Sequence, residues 1–237
     1  MIAPQTPDPI RALATDPLRF IKLCWPEMKL SPEQEAVLRS VPENIETFVH
    51  AANKMGKTRI AAVVIIWFFF SRTPARVIVT SANEKQLKQA VWAEILHLIE
   101  TSQFPLPFQV RDLRITKVKT PGGPPVTKDF ILGQVTNTVE SFQGYHLRSD
   151  DKSRVLVVID EASGIDDAFY EAAQSWAHRM LVIGNPLAND NFFFRHCQQG
   201  DQPDPAREGQ LRRKVIHIDG RESPNVQLGF LWREQGN

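Results

Sequence analysis

The chain has 237 residues, of which 42% are hydrophobic, and this is sufficient for one large globular domain with its own core. Its 28 Lys and Arg residues nearly balance 27 Asp and Glu residues, so the overall charge excludes a uniformly basic protein and restricts any nucleic-acid-binding surface to a local patch. Cys24 and Cys197 lack the close spacing of a metal or redox motif and are predicted to be free thiols.

The sequence favours a soluble, cytoplasmic protein without a membrane partner. The first 20 residues contain four prolines and no apolar signal core, and the longest apolar run, Ile60 to Phe70, is too short to span a bilayer. The first 30 residues are predicted to form a proline-rich arm along the surface.

A helix is predicted to begin after this arm. Ser31 is a favourable N-cap, Pro32 suits the first helical position, and acidic residues follow in the first turn. A strand is predicted at residues 45–51. The next segment, residues 58–70, is apolar on all sides and is predicted to be a helix buried against a sheet.

The rest of the chain alternates strands with helices. Strands are predicted at residues 75–82, 154–162, 179–186 and 214–220, and helices at residues 84–100 and 166–179. Residues 103–130 are rich in proline and are predicted to form a hairpin insertion of two strands around a proline and glycine turn. The alternation predicts an α/β fold with a mostly parallel sheet, with one domain over residues 31–220 and a tail over residues 221–237.

A candidate phosphate-binding loop connects the first predicted strand to the apolar helix. A strand that ends in a turn and reopens as a helix directs backbone N–H groups and the positive end of the helix dipole at a bound anion. The sequence AANKMGKT has the spacing of a phosphate loop, although Ala52 stands where the pattern has its first glycine. The candidate residues are Ala52, Asn53, Lys54, Met55, Gly56, Lys57 and Thr58. The alternative is a chance Gly-Lys-Thr sequence at a helix start.

Two acidic residues, Asp160 and Glu161, end a continuous apolar strand further along the chain. Ligands of open α/β sheets bind at the edge where such strands end. Asp160 and the Thr58 hydroxyl can hold Mg²⁺, and Lys57 can neutralise the β- and γ-phosphates of a nucleotide. Glu161 is then available to activate the attacking water, which would distinguish hydrolysis from nucleotide binding alone. The alternative is that both acids form a solvated helix cap.

Asn185 ends another buried strand in the segment LVIGNP. Its amide could lie beside a γ-phosphate and respond to hydrolysis, or it could be an ordinary strand terminator.

The order of the segments ANKMGKT, TSANEKQLKQAVWAEI, TVESFQGYH, VLVVIDEASGI and LVIGNP resembles the ATPase domain of the large terminase subunit of tailed bacteriophages and prophages. The resemblance covers roughly residues 30–200. It implies the additional-strand, catalytic-glutamate branch of phosphate-loop ATPases, with ATP and Mg²⁺ as cofactors. The roles it implies are Walker A for Lys57 and Thr58, Walker B for Asp160, catalytic glutamate for Glu161, and a coupling motif for residues 184–186.

The resemblance also implies a function and partners. The family's motors hydrolyse ATP to translocate double-stranded DNA into the procapsid, and they act in the host cell cytoplasm as a homo-oligomeric ring on the portal protein, together with the small terminase subunit. Family members usually carry a second, ribonuclease-H-like nuclease domain. Residues 221–237 are too few for such a domain, so nuclease activity is not expected in this chain.

Two other functions stay open at this point. A helicase-like DNA translocase uses the same chemistry but normally needs a second motor core. A nucleotide-binding assembly module would hydrolyse little ATP by itself and would mainly dock on other packaging proteins.

Three further features carry hypotheses with simpler alternatives. Gln34, in SPEQ, is similar to the glutamine that reads adenine in these motors, or it is one more polar residue in a helix's first turn. Arg148 is the candidate for an arginine that acts on a neighbouring subunit's transition state, with Arg179 as a competitor and an exposed arginine without a role as the alternative. Two basic groups could contact DNA phosphates or could be solvated surface. They are Arg111, Arg114, Lys117, Lys119 and Lys128, and Arg212, Arg213 and Lys214.

Overall fold

A computed structural model describes residues 13, 15–52, 55–120, 122–135, 154–185 and 190–219. In these parts of the chain one sheet contains nine strands. The strands are β1 (Glu46–Ala51), β2 (Arg76–Ser81), β3 (Phe108–Arg111), β4 (Arg114–Val118), β5 (Pro125–Gly133), β6 (Val155–Asp160), β7 (Arg179–Gly184), β8 (Gln202–Pro203) and β9 (Leu211–Ile218).

The strand order is β3-β4-β5-β2-β6-β7-β1-β9-β8. The six central strands, from β5 to β9, pair in parallel, and antiparallel strands flank them at both edges. Strand β7 lies between β1 and β6, so an additional strand separates the strand before the candidate phosphate loop from the strand that ends in the two acids. This arrangement confirms the predicted α/β fold of the additional-strand type.

Helices cover both faces of the sheet. The helices are α1 (Pro17–Cys24), α2 (Pro32–Glu43), α3 (Lys57–Ser71), α4 (the consecutive segments Glu84–Gln86, Leu87–Trp92 and Ala93–Thr101), α5 (Asp167–Trp176) and α6 (Phe192–Gln199). Side chains of α1 to α4 fill the core on one face, and those of α5 and α6 fill the core on the other. The predicted strands and helices of the α/β alternation are therefore present in the described residues.

Helix α3 lies in the middle of the larger core, which explains why its sequence is apolar on all sides. Trp67 and the residues around it are almost completely buried. A helix that is hydrophobic in every direction is expected where other elements surround it. None of the helices in the described residues is both long and apolar enough to cross a membrane.

The prediction of a surface arm is wrong for the part of residues 1–30 that forms α1. Asp16 caps this helix by accepting a hydrogen bond from the Arg19 N–H at 3.1 Å. Phe20 and Cys24 are fully buried, and the Trp25 indole, just after the helix, donates to the Leu98 carbonyl at 3.0 Å. A Pro at the start of a helix is compatible with helical geometry, and this helix contributes apolar side chains to the main core.

The segment predicted as a two-strand hairpin contains three strands. Strands β4 and β5 flank the proline and glycine turn, and β3 pairs antiparallel with β4. Strand β5 also pairs in parallel with β2, so these strands extend the central sheet. Strands β3 and β8 and helix α6 were not predicted from the sequence.

A buried polar network lies where β1 begins. Glu46 is fully buried and accepts hydrogen bonds from the Arg213 Nε at 3.0 Å, the Tyr170 hydroxyl at 3.1 Å and the Gln174 amide at 2.6 Å. The network satisfies a carboxylate that would otherwise be costly to bury. Because Arg213 is 3% exposed, it is not available to DNA phosphates.

Candidate functional site

The carboxyl ends of β1, β6 and β7 meet at one edge of the sheet. In the parallel register His50 of β1 pairs with Gly184 of β7, and Ser81 of β2 pairs with Asp160 of β6. The loops that follow these strands therefore begin side by side. This edge is where open α/β sheets bind their ligands.

The loop between β1 and α3 presents Lys57 at the first position of the helix. Gly56 precedes it with φ at 72°, in the left-handed region that favours glycine. Lys57 is 7% exposed, and its Nζ donates a hydrogen bond to the Ala51 carbonyl at 3.0 Å. Met55 is also buried, and Ala52 and Thr58 are half-buried. Asn53 and Lys54 lie outside the described residues.

Gln34 contacts this loop from helix α2. Its side-chain amide donates to the Met55 carbonyl at 3.3 Å, and its Oε1 accepts from the Ser31 N–H at 3.1 Å in a capping box. A Cβ added at Gly56 would lie 2.7 Å from the Gln34 Nε2. The structure therefore brings Gln34 against the phosphate-loop candidate. A side chain at Gly56 would displace the Gln34 amide and would be strained at the positive φ of this position.

The charges of Lys57, Asp160 and Glu161 interact with one another. Burial lowers the pKa of Lys57, and the negative charges of Glu161 and Asp160 oppose that shift. Burial is also the largest influence on Asp160, and with the repulsion from Glu161 it raises the pKa of Asp160 to about 6, although Lys57 acts in the opposite direction. A strongly shifted carboxyl beside a buried cation is typical of functional sites.

Glu161 has a backbone conformation that non-glycine residues rarely adopt. Its φ is 53° and its ψ is 48°, and it stands immediately before the short turn Ala162–Gly164. Such conformations cost about 1–3 kcal/mol and persist where the surrounding structure enforces them. The fold therefore holds the backbone of Glu161 in this conformation, next to Asp160.

Gly184 ends β7 in close contact with the loop that carries Glu161. A Cβ added at Gly184 would lie 2.9 Å from the Phe193 ring and 3.2 Å from the Ala162 nitrogen. Asn185 follows at the same edge and is half-buried. The coupling-motif candidate thus begins against the residue that follows Glu161, and Pro186 lies outside the described residues.

Comparison with known proteins shows the similarity only in three dimensions, because no protein-family model and no curated protein matches the sequence. The chain is similar to the large terminase ATPase domain of Thermus phage P74-26, with a TM-score of 0.64 and 18% identity over 92% of each chain. The chain has the fold of a large terminase ATPase domain.

Two longer terminases have the same fold. The large terminase of a thermophilic bacteriophage has a TM-score of 0.62 and 12% identity, covering 86% of this chain and 50% of that chain. The large terminase of bacteriophage HK97 has a TM-score of 0.55 and 13% identity, covering 88% of this chain and 43% of that chain. This chain therefore spans about half the length of either terminase or less.

Of the two arginine candidates in this terminase ATPase fold, Arg179 lies in the described residues. Arg148 lies outside the described residues. Arg179 begins β7, at the edge of the sheet opposite Asp160, and donates to the carbonyls of Pro42 at 3.2 Å and His178 at 3.0 Å. The Pro42 carbonyl is among the last of α2, so Arg179 stabilises the end of that helix.

Two basic residues of β4 make contacts within the domain. Lys117 is 3.3 Å from the buried Asp129 carboxylate, and its Nζ donates to the Thr73 hydroxyl at 3.0 Å. The Arg114 guanidinium lies 4.2 Å from the centre of the Phe130 ring. In the second basic group, the Lys214 Nζ lies 2.7 Å from the Asp201 carboxylate, and the Arg213 Nε lies 3.0 Å from the Glu46 carboxylate.

Two residues that were not predicted from the sequence lie beside the site. Asn191 contacts the Glu161 loop, and Asp167 contacts the start of α6. The Asn191 amide donates to the Ala162 carbonyl at 2.9 Å, and the Asp167 carboxylate accepts from the Phe192 N–H at 2.7 Å. Asparagine and aspartate are common helix caps, and their positions before α6 and in the first turn of α5 gave no signal of a link between distant loops.

The raised pKa of Asp160 predicts a pH dependence of stability in the absence of nucleotide and Mg²⁺. Because the folded state binds this proton more tightly than the unfolded state, the contribution is present at low pH and is lost as the pH rises through about 6. We expect the free energy of unfolding of the wild type, relative to Asp160→Asn, to rise by about 2 kcal/mol from about pH 7.5 to about pH 4.5.

Urea unfolding of both variants across this pH range measures the difference. The subtraction cancels the pH-dependent contributions of groups that both proteins contain. His178 is one of them, because burial and the charge of Arg179 lower its pKa to about 4. A difference that is constant with pH would contradict the prediction.

Proposed function

We propose that this chain is the ATPase motor of a viral terminase, which uses Mg²⁺-dependent ATP hydrolysis to translocate double-stranded DNA into a procapsid. The observation that carries the proposal is the convergence of Lys57, Asp160 and Glu161 at the carboxyl edge of the sheet, in a fold shared with large terminase ATPase domains. A structure of the thermophilic bacteriophage's terminase in complex with ATP-γ-S has a TM-score of 0.55 to this chain and 12% identity, and it covers 91% of this chain and 47% of that one.

The residues around Asp160 fit a hard divalent cation. Asp160 is 2% exposed, and the neighbouring Ser81 Oγ is buried without a hydrogen-bond partner among the described residues. Mg²⁺ prefers oxygen donors and keeps water ligands, so the Asp160 carboxylate and the Thr58 hydroxyl would hold it directly or through water. The bound ion would neutralise charge on the β- and γ-phosphates.

The chain's own residues divide the remaining work. In the proposed mechanism Lys57 leaves the Ala51 carbonyl and pairs with the β- and γ-phosphates, while backbone N–H groups at the start of α3 bind phosphate oxygens. Glu161 accepts the proton of the attacking water, and its fixed backbone orients the carboxylate. Gln34 contacts the adenine, and Asn185 lies beside the γ-phosphate.

The proposal includes an assembly. The subunits form a ring on the portal protein, work with the small terminase subunit in the host cytoplasm, and use an arginine such as Arg148 to stabilise the transition state of a neighbour. Exposed basic residues of the β3 to β5 region, among them Arg111 and Lys128, contact DNA phosphates without reading sequence.

Steady-state ATP hydrolysis by the purified chain, measured across protein concentrations with and without duplex DNA and with EDTA, tests the proposal. We expect activity that needs Mg²⁺ and rises per subunit with concentration, because each site is completed by a neighbour. ATP binding without hydrolysis under every condition would favour the nucleotide-binding assembly module. Separation of a forked duplex would favour the helicase-like translocase, and failure to bind ATP would overturn the site.

A further inference from the structure

Asn191 makes two hydrogen bonds that join different parts of the molecule. Its side-chain oxygen accepts from the Phe194 N–H at 3.1 Å and so caps helix α6. Its side-chain nitrogen donates to the Ala162 carbonyl at 2.9 Å. One amide group therefore fixes both the start of α6 and the residue that immediately follows Glu161.

The Ala162 backbone is restrained at both of its peptide groups. Its carbonyl also accepts from the Ile165 N–H at 3.2 Å, and its nitrogen faces Gly184 so closely that a Cβ on that glycine would lie 3.2 Å away. The Glu161 carbonyl accepts from the Gly164 N–H at 3.0 Å. These contacts hold the backbone of Ala162, which follows Glu161 with its positive φ. The Asn191 side chain donates one of these hydrogen bonds, to the Ala162 carbonyl.

A second set of contacts attaches α6 to a different element, helix α5. Asp167, in the first turn of α5, accepts from the Phe192 N–H at 2.7 Å and pairs with the Arg195 guanidinium. Helix α6 is thus attached to α5 independently of Asn191. The Asn191 amide can therefore be altered while the helix keeps its place.

We propose that Asn191 is a positioning residue for the catalytic glutamate, because its amide fixes the Ala162 carbonyl and with it the orientation of Glu161. The inference rests on the proposed ATPase function. It adds a link from Asn191, in the chain that follows β7, to the residue next to the glutamate that activates water. A group that acts this way affects the rate of the chemical step more than the binding of ATP.

Asn191→Asp removes one of the two hydrogen bonds and keeps the other. A carboxylate still accepts from the Phe194 N–H and suits a helix N-terminus, but it cannot donate to the Ala162 carbonyl. Asn191→Ala removes both bonds. Gln199→Glu, at the other end of α6, makes the same replacement of an amide by a carboxylate away from the Glu161 loop and is the control for turnover. The Gln199 Oε1 accepts from the Arg213 guanidinium at 3.4 Å, and a carboxylate keeps this acceptor.

We expect Asn191→Asp to lower kcat by about 10- to 100-fold, with KM for ATP and Tm close to those of the wild type. Gln199→Glu should keep the wild-type kcat. In the background of Glu161→Gln, adding Asn191→Asp should lower kcat little further, because both changes act on the same group. A wild-type kcat in Asn191→Asp, or an equal loss of ATP affinity and Tm, would overturn the inference.

Hydrogen exchange provides a measurement that does not depend on hydrolysis. The Gly164 and Ile165 N–H groups close the turn after Glu161, and we expect them to exchange faster in Asn191→Asp than in the wild type or in Gln199→Glu. Unchanged exchange would contradict the positioning role. If the wild-type chain bound and hydrolysed no ATP at all, the proposed function would fail while this measurement still reported on the Asn191 contact.

Discussion

Glu161→Gln is expected to lower ATP turnover by about 10²- to 10⁴-fold, the usual contribution of a general base. Glutamine keeps the size and shape of the side chain but cannot accept the proton of the attacking water. The affinity for ATP should change little, since Lys57 and the phosphate loop are unaltered. The Asp160 carboxyl should also ionise more easily, because Glu161 is one of the two causes that raise its pKa.

Turnover is measured at saturating MgATP, and affinity by titration of a nucleotide that is not hydrolysed. Glu171→Gln removes a carboxylate from the exposed side of α5 and should keep wild-type turnover. If Glu161→Gln hydrolysed ATP at the wild-type rate, Glu161 would not be the general base. If the variant lost ATP binding instead, Glu161 would act in binding the nucleotide and not in activating water.

Arg213→Ala is expected to lower the free energy of unfolding by about 3 kcal/mol, because it removes the closer and more buried of the two arginines that pair with the fully buried Glu46 carboxylate. The Tyr170 and Gln174 hydrogen bonds remain, and so does the partly exposed Arg212, whose Nε lies 4.0 Å from the carboxylate, but none of them replaces the short buried ion pair. Adding Glu46→Gln to Arg213→Ala should recover part of the loss, since a neutral amide is less costly to bury.

Urea unfolding of the three proteins measures these differences. Arg39→Ala is the control, because Arg39 forms an ion pair of similar length with Glu35 but on the surface, with 62% of its side chain exposed. Exposed pairs contribute about 0–1 kcal/mol. Similar losses for Arg213→Ala and Arg39→Ala would contradict the importance of the buried network.

The central strands and the long helices were predictable from local pattern. Strand β6 reads as a continuous apolar run because both of its faces are covered, and α3 reads as apolar on all sides because it is packed between the sheet and other helices. The capping box of Ser31 and Gln34 was partly visible as well, since caps depend on residues close together in sequence.

The elements that were missed are short or have a weak pattern. Helix α1 stands in a stretch punctuated by prolines, and its burial depends on contacts with residues far along the chain, such as Leu98. Helix α6 has only eight residues, which are too few to show a helical period between its boundary residues, Asn191 and Gly200. Strand β3 has four residues and is stabilised by its pairing with β4.

The sequence by itself determined the alternation of strands and helices, the loop that ends at Lys57 and Thr58, and the strand that ends at Asp160 and Glu161. These features are local, because hydrophobic periodicity, helix caps and loop spacing depend on residues that are close together in sequence. Only the tertiary structure decided that the additional strand between β1 and β6 is β7, that Arg213 is buried against Glu46, and that Asn191 holds the Ala162 carbonyl. Those outcomes depend on which apolar faces pack together, and that choice is made by contacts between residues distant in sequence.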